Sequence, residues 1–262
     1  MRLLAAAAAA LAASLAAAAS AQAIQPAAFA SFQFRQHPGG QLPLDTLLRD
    51  EAGRTVRLGS YFGRPAILIL EYLHCPNLCG LVLGGTVSGL TQAHLQPGRD
   101  LEFVAISIDP HETPADGIAA RGNYMKLAGQ TDPSGWHFLT GPEPAVRRIA
   151  DAVGFPYRWD PRLRQYAHPA GFVVATPDGR ISRYLLGLQP PPETLKAAVA
   201  TAAGDKVQPA VHPLLLLCLG YDPQPGSVQA AVIQALRVVG VVAVLAILLL
   251  IVRLSRRPAA RG

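Results

Sequence analysis

The sequence is poor in charged residues. Only 15% of its 262 residues are Asp, Glu, Lys or Arg, whereas 50% are hydrophobic, and the mean hydropathy is +0.26. A composition this apolar excludes an intrinsically disordered chain, and no internal repeat stands out. The length suits one domain of ordinary size with added segments, or two small domains.

An excess of basic charge is also missing once the two ends are set aside. The whole chain has a formal net charge of +6, but Arg2 and the four arginines after residue 252 supply five of its 23 basic residues. The section from Ile24 to Val252 has 18 basic and 17 acidic residues, a net charge of +1. The body therefore gives no electrostatic reason to expect a nucleic acid as a partner.

The apolar excess lies at both ends of the chain. Residues 1–23 combine a basic start, a Leu/Ala run and an Ala-Gln-Ala end, the order of a secretory signal peptide. Residues 232–252 form a run of 21 residues with one charge, Arg237, which is long enough to cross a bilayer. The arginines that follow are typical of a cytoplasmic flank. A buried core helix is the alternative for this run, but the sequence favours an exported body with a single C-terminal anchor.

The predicted organisation has six parts. They are a signal peptide (1–23), a flexible leader (24–40), a folded domain (41–203), a membrane-proximal stalk (204–229), a transmembrane helix (230–252) and a basic cytoplasmic tail (253–262).

Within the folded domain, apolar runs alternate with helical segments. Residues 65–73 and 101–108 have the near-continuous apolar character of strands that are buried on both faces. Shorter strands are expected at 55–58 and 136–140, and a hairpin joins 171–175 to 181–186 through Thr-Pro-Asp-Gly. Helices are expected at about 79–94, 113–127, 143–153 and 192–203. This order predicts an α/β domain with a mixed sheet flanked by helices.

Two of the three cysteines form one motif, Cys75-Pro-Asn-Leu-Cys79, between a buried strand and the start of a helix. A helix N-terminus favours thiolates, and a separation of four residues puts both sulfurs on one side of the first turn. The pair could close a disulfide or hold one soft metal ion. Because a disulfide in so short a loop adds little stability, a redox or metal-binding role is favoured over a structural one.

A Cu(I) site needs a third ligand beside two thiolates. The sequence has seven histidines, and His168 is the strongest candidate because it stands just before the strand expected to neighbour the cysteine-bearing one. His111, at the carboxyl end of a strand, is a weaker candidate. His74 is interpreted as a surface residue or as a residue behind the ligands.

In order, these features resemble the Sco/SenC family of copper-binding, thioredoxin-like proteins over residues 42–188. The shared features are the Cys-Pro-x-x-Cys motif, Ile-Ser-Ile-Asp-Pro, Glu-Thr-Pro, Phe-Leu-Thr-Gly, the lone His and the Pro-Asp-Gly hairpin. The resemblance implies a thioredoxin-like fold and copper held by Cys75, Cys79 and His168. It also assigns Asp109 to an acidic position near the site. Two positions depart from the family pattern: Gly80 replaces a second Pro, and Ala167 replaces the usual Asp before the His.

The resemblance further implies a function in the bacterial periplasm. The predicted C-terminal helix would anchor the chain in the inner membrane, whereas many family members are anchored at the N-terminus. The protein is expected to help build the copper site of cytochrome c oxidase. Its expected partners are the copper-bearing subunit of the oxidase and a periplasmic copper donor or thiol reductant. A metallochaperone is favoured over an enzyme.

The main alternative is a thiol-disulfide oxidoreductase in which Cys75 and Cys79 exchange disulfides with a client and copper is incidental. A non-catalytic sensor ranks lower, because the short tail offers no output domain. The third cysteine, Cys218, stands in a Leu run and is interpreted as a buried apolar residue, with dimerisation or copper passage as alternatives.

Overall fold

The computed structural model of the protein describes residues 33–73, 80–162 and 164–210. The chain divides into two units, Met1–Ala210 and Val211–Gly262, and every described residue belongs to the first. The predicted signal peptide and transmembrane helix lie outside the described residues, so both stay predictions. Among the helices that are described, none is long and apolar enough to cross a membrane.

Nine strands and four α-helices follow one another along the described chain. The strands are β1 (Leu47–Arg49), β2 (Thr55–Arg57), β3 (Ala66–Glu71), β4 (Glu102–Ser107), β5 (Trp136–Leu139), β6 (Arg158–Asp160), β7 (Gln165–Ala167), β8 (Gly171–Ala175) and β9 (Ile181–Leu186). The helices are α1 (Gly80–Gln92), α2 (Pro114–Leu127), α3 (Glu143–Val153) and α4 (Pro192–Ala203), and a short 3-10 helix covers Leu58–Tyr61.

Five strands form the central sheet, in the order β5-β4-β3-β8-β9. Strands β3, β4 and β5 run parallel, whereas β8 is antiparallel to both β3 and β9. All six residues of β3 are buried, as expected for a strand covered on both faces. The predicted thioredoxin-like α/β fold, a mixed sheet flanked by helices, is confirmed.

The core consists of two apolar clusters, one on each face of the sheet. Alternate residues of β3 enter opposite clusters, so that Leu68 and Leu70 lie on one face and Ile67 and Ile69 on the other. Helix α3 covers the first face, and helices α1, α2 and α4 cover the second. This alternation follows from the two-residue period of a strand.

Of the strands in two further small hairpins, β2 lies within the strand expected at 55–58, whereas β1, β6 and β7 were not predicted. One hairpin pairs β1 with β2 and reaches the sheet edge through a bridge between Arg49 and Thr140. The other pairs β6 with β7 directly before His168. The three unpredicted strands have only three residues each, which is too short to show a clear apolar alternation.

The end of the segment predicted as a flexible leader is held against the domain. The N–H of Arg35 donates to the carbonyl of Gly154 over 2.8 Å, and the N–H of Gly39 donates to the carbonyl of Ile181. The ring of Phe34 packs edge-on against Phe155 at a centroid distance of 5.4 Å. Residues 34–40 therefore pack against the domain, whereas residues 24–32 of the predicted leader lie outside the described residues.

Candidate metal centre

His168 lies at the end of the sheet where β3 finishes. Strands β3 and β8 are antiparallel with Leu68 opposite Val173, so the residues that follow β3 and those that precede β8 meet at one end. The ring of Tyr72, one residue beyond β3, meets the His168 ring edge-on with centroids 6.1 Å apart. From the sequence, the strand after His168 is expected to pair with the strand before the cysteine motif, and β8 does pair with β3.

The hydrogen bonding of His168 leaves one ring nitrogen available as a ligand. Its Nδ1 is 2.9 Å from the carbonyl oxygen of Pro169. A carbonyl only accepts hydrogen bonds, so Nδ1 carries the proton of the neutral ring and Nε2 keeps its lone pair. The main-chain carbonyl thus orients the imidazole at a point where Ala167 provides no carboxylate.

An apolar surrounding keeps this imidazole neutral. The ring of Phe155 stacks on His168 with centroids 5.5 Å apart and planes inclined by 30°. Burial lowers the pKa of His168 below its ordinary value, and the bond to Pro169 opposes this only in part. A neutral imidazole is the form that binds a metal ion.

The cysteine motif lies outside the described residues, but both of its flanks are described. The chain leaves β3 through Tyr72 and Leu73 and resumes at Gly80, the first residue of α1. Helix α1 has no acidic residue in its first turn, so no carboxylate there opposes the thiolate-stabilising effect of a helix N-terminus. The roles of Cys75 and Cys79 remain predictions.

A loop between β4 and α2 lies beside this end of β3. Glu112 accepts a hydrogen bond from the N–H of Leu73 over 2.9 Å, and the hydroxyl of Ser107 donates to the same carboxylate oxygen. Asp109, the family acidic position, accepts the N–H of His111 and pairs with the His111 ring at 2.8 Å. Sequence reasoning missed Glu112, whose only signal was its place in the Glu-Thr-Pro element.

The other candidate histidines do not join His168. The His111 side chain is 87% exposed and pairs with Asp109. His137 lies on β5, where its Nε2 is 3.0 Å from Glu102. His94 has a left-handed backbone after α1 (φ 56°), and His74 lies outside the described residues. Within the described ranges, no cluster of three or more His, Cys, Asp or Glu side chains is arranged to hold a metal ion.

An aromatic cluster connects the centre to an open cavity of about 360 Å³. Tyr166 contacts Tyr72 at 5.5 Å and the half-exposed Trp159 at 5.1 Å between ring centroids. Burial, together with the nearby Asp109 carboxylate, raises the pKa of Tyr166 to about 12. The phenol therefore stays protonated and uncharged next to the centre. The cavity itself is lined by the β4–α2 loop, by α3 and by β6 and β7.

The chain was compared with known protein families, curated proteins and solved structures. The family model described as SCO1/SenC matches residues 45–204, more than half of the chain. The chain belongs to the SCO1/SenC family. Among curated proteins no match was found.

Solved structures share the fold of this SCO1/SenC chain. A putative electron transfer protein from Aquifex aeolicus is 24% identical with a TM-score of 0.58, and the match covers 64% of this chain and 95% of that protein. Arabidopsis thaliana ScoI with copper bound is 18% identical, with a TM-score of 0.51 and coverage of 65% and 98%. BsSco, described as a member of the Sco family of cytochrome c oxidase assembly proteins, is 19% identical, with a TM-score of 0.51 and the same coverage.

Proposed function

We propose that this protein is a membrane-anchored copper chaperone of the bacterial periplasm. Its cargo is Cu(I), held by the thiolates of Cys75 and Cys79 and by Nε2 of His168. Its client is the copper-bearing subunit of cytochrome c oxidase, and a periplasmic donor supplies the metal. Two soft sulfur ligands and one imidazole suit Cu(I) better than hard divalent ions.

The observation that carries the proposal is the state of His168. Its Nδ1–H is committed to the Pro169 carbonyl, and burial disfavours the imidazolium. The lone pair on Nε2 is therefore available at neutral pH. His168 also contacts Tyr72, which is only three residues before Cys75, and three residues of extended chain span about 10 Å.

The relatives support the copper cargo and the oxidase client. One fold neighbour contains copper, and another is described as belonging to a family of oxidase assembly proteins. The location rests on sequence alone, namely the signal peptide at 1–23, the apolar run at 230–252 and the arginine-rich tail.

Anaerobic titration of the reduced full-length protein with Cu(I) tests the proposal. With a chromophoric chelator as competitor, we expect one Cu(I) per chain and affinity reduced by about 10- to 100-fold or more in His168→Ala. His111→Ala is the matched control, because its exposed imidazole does not contact His168, and its affinity should be unchanged. A His168→Ala protein that retained the wild-type affinity would exclude His168 as the third ligand.

A second candidate is a thiol-disulfide oxidoreductase that uses the same pair of cysteines. It is favoured by the description of BsSco, which reports a disulfide switch. In this case Cys75 would attack a client disulfide and Cys79 would resolve the mixed disulfide. Trapping of client mixed disulfides by Cys79→Ser, without copper in protein isolated from cells, would favour this function over copper delivery.

A further inference from the structure

Just beyond the end of β3, a main-chain N–H donates its hydrogen bond to a side chain and not to the neighbouring strand. The N–H of Ile108 donates to the carbonyl of Glu71 over 3.1 Å, the last bond between the β3 and β4 segments. A parallel ladder would continue from Leu73 to a main-chain carbonyl of the neighbouring strand. The chain turns away at Asp109-Pro110 instead, and the Glu112 carboxylate accepts the Leu73 N–H at 2.9 Å.

A second residue, Ser107 at the end of β4, also fixes the Glu112 carboxylate. The buried hydroxyl of Ser107 donates to it, and Ser107 Oγ accepts the N–H of Asp109 over 3.1 Å. The N–H of Glu112 donates to the carbonyl of Asp109, also over 3.1 Å. Glu112 is therefore held in one position by its own loop.

The loop that carries Glu112 also reaches the His168 side of the centre. Asp109 Oδ1 lies 3.5 Å from the hydroxyl of Tyr166, and Tyr166 is two residues before His168. The ring of Tyr72 contacts both Tyr166 and His168. The loop between β4 and α2 therefore contacts both Leu73, just before the cysteine motif, and strand β7, which precedes His168.

We propose that Glu112 is a positioning residue for copper binding. By fixing the main chain at Leu73, two residues before Cys75, it keeps the start of the Cys75–Cys79 segment at a fixed distance from His168. This inference rests on the proposed function. Groups behind metal ligands that fix their orientation contribute about 10- to 100-fold to metal affinity, because ordering the ligands in advance reduces the entropy lost on binding. Removing the carboxylate would deprive the Leu73 N–H of its acceptor and would leave the Ser107 hydroxyl with the carbonyl of Asp109, 3.2 Å away.

The experiment compares Glu112→Ala, Glu112→Gln and a control in the reduced full-length protein. Glu102→Ala is the control because Glu102 also receives two side chains, Arg64 at 2.9 Å and His137 at 3.0 Å. Glu102 begins β4, whereas Glu112 follows its other end, so the control removes a comparable structural carboxylate far from the centre. Cu(I) affinity is measured by chelator competition. Alkylation rates of Cys75 and Cys79 in the metal-free protein are measured by peptide mass analysis.

We expect Glu112→Ala to lower Cu(I) affinity by about 10- to 100-fold and to speed alkylation of both thiols. Glu112→Gln keeps an acceptor oxygen and should restore affinity to within about threefold of wild type, since the amide oxygen can accept both hydrogen bonds. Glu102→Ala should change neither measurement. Wild-type affinity in Glu112→Ala, or an equal loss in Glu102→Ala, would overturn the positioning role.

The alkylation rates separate this inference from the proposed function. If the wild-type protein bound no Cu(I), the copper function would fail, but faster alkylation in Glu112→Ala alone would still support positioning of the segment. If copper bound and neither measurement distinguished Glu112→Ala from Glu102→Ala, the positioning role would fail while the copper function stood.

Discussion

Gly154 provides a sharp test of how the chain before residue 41 packs against the rest of the domain. This glycine ends α3 with a left-handed backbone (φ 68°) and immediately precedes Phe155. A Cβ at residue 154 would lie 1.8 Å from the main-chain oxygen of Arg35 and 2.7 Å from its carbonyl carbon. Both contacts are with backbone, so Gly154→Ala must displace the segment around Arg35.

The expected loss of stability has three sources. Left-handed alanine costs about 1 kcal/mol, and loss of the Arg35–Gly154 hydrogen bond costs about another 1 kcal/mol. Exposure of the half-buried Phe34 ring, which contacts Phe155 and Tyr184, costs about 1–2 kcal/mol. We therefore expect Gly154→Ala to lower the free energy of unfolding by about 3–4 kcal/mol, a large part of the typical 5–15 kcal/mol.

Urea unfolding followed by tryptophan fluorescence is the assay. The chain has only two tryptophans, Trp136 and Trp159, and both lie in the first unit, so the signal reports on this unit alone. The control is Gly122→Ala in α2, where a Cβ would meet nothing within 4 Å. That variant should gain about 0.5–1 kcal/mol. Equal stabilities of Gly154→Ala and wild type would refute the packing of residues 34–40 described above.

Three further predictions concern charge around the centre. Because burial lowers the pKa of His168, the contribution of this residue to stability is complete above about pH 6.5 and is lost as the pH falls through the folded-state pKa. The free energy of unfolding of the wild type relative to His168→Gln should therefore decrease between pH 7 and 5, and a constant difference would contradict this prediction. Arg147 lies 3.7 Å from the Tyr157 ring centroid and donates to the Tyr157 carbonyl, so Arg147→Met should lower the free energy of unfolding in urea by about 1 kcal/mol. An unchanged free energy of unfolding would show that this contact does not stabilise the fold. Burial and the Asp109 carboxylate raise the pKa of Tyr166 to about 12, so an alkaline ultraviolet titration of Tyr166→Phe should lack part of the latest phase. A loss of signal near pH 10 instead would show that Tyr166 is solvated.

Local sequence patterns predicted much of the fold. Helix α3 has the predicted ends because Pro142 and Glu143 begin it and Gly154 ends it with a left-handed residue. The hairpin of β8 and β9 has the predicted bounds because Thr-Pro-Asp-Gly forms its turn. Both cases depend on residues adjacent in the chain, where backbone preferences act directly.

The parts that sequence did not predict depend on distant contacts. Residues 34–40 have a loop-like composition, and they are ordered by hydrogen bonds to residues more than 100 positions away, including Gly154 and Ile181. The hydrogen bond from Leu73 to Glu112 spans 39 residues, and the stacking of Phe155 on His168 arises only when α3 packs on the sheet that contains β8. The position of His168 could be predicted because it follows from strand pairing, whereas the residues that contact its ring could not be predicted.

In the proposed copper site, two thiolates and the His168 imidazole hold Cu(I). X-ray absorption at the copper edge, on anaerobically loaded full-length protein, measures these ligands directly. We expect two sulfur neighbours and one nitrogen neighbour in the wild type, and loss of the imidazole signal in His168→Ala with both sulfurs retained. An imidazole signal that persisted in His168→Ala, or a wild-type site with sulfur ligands alone, would contradict this set of ligands.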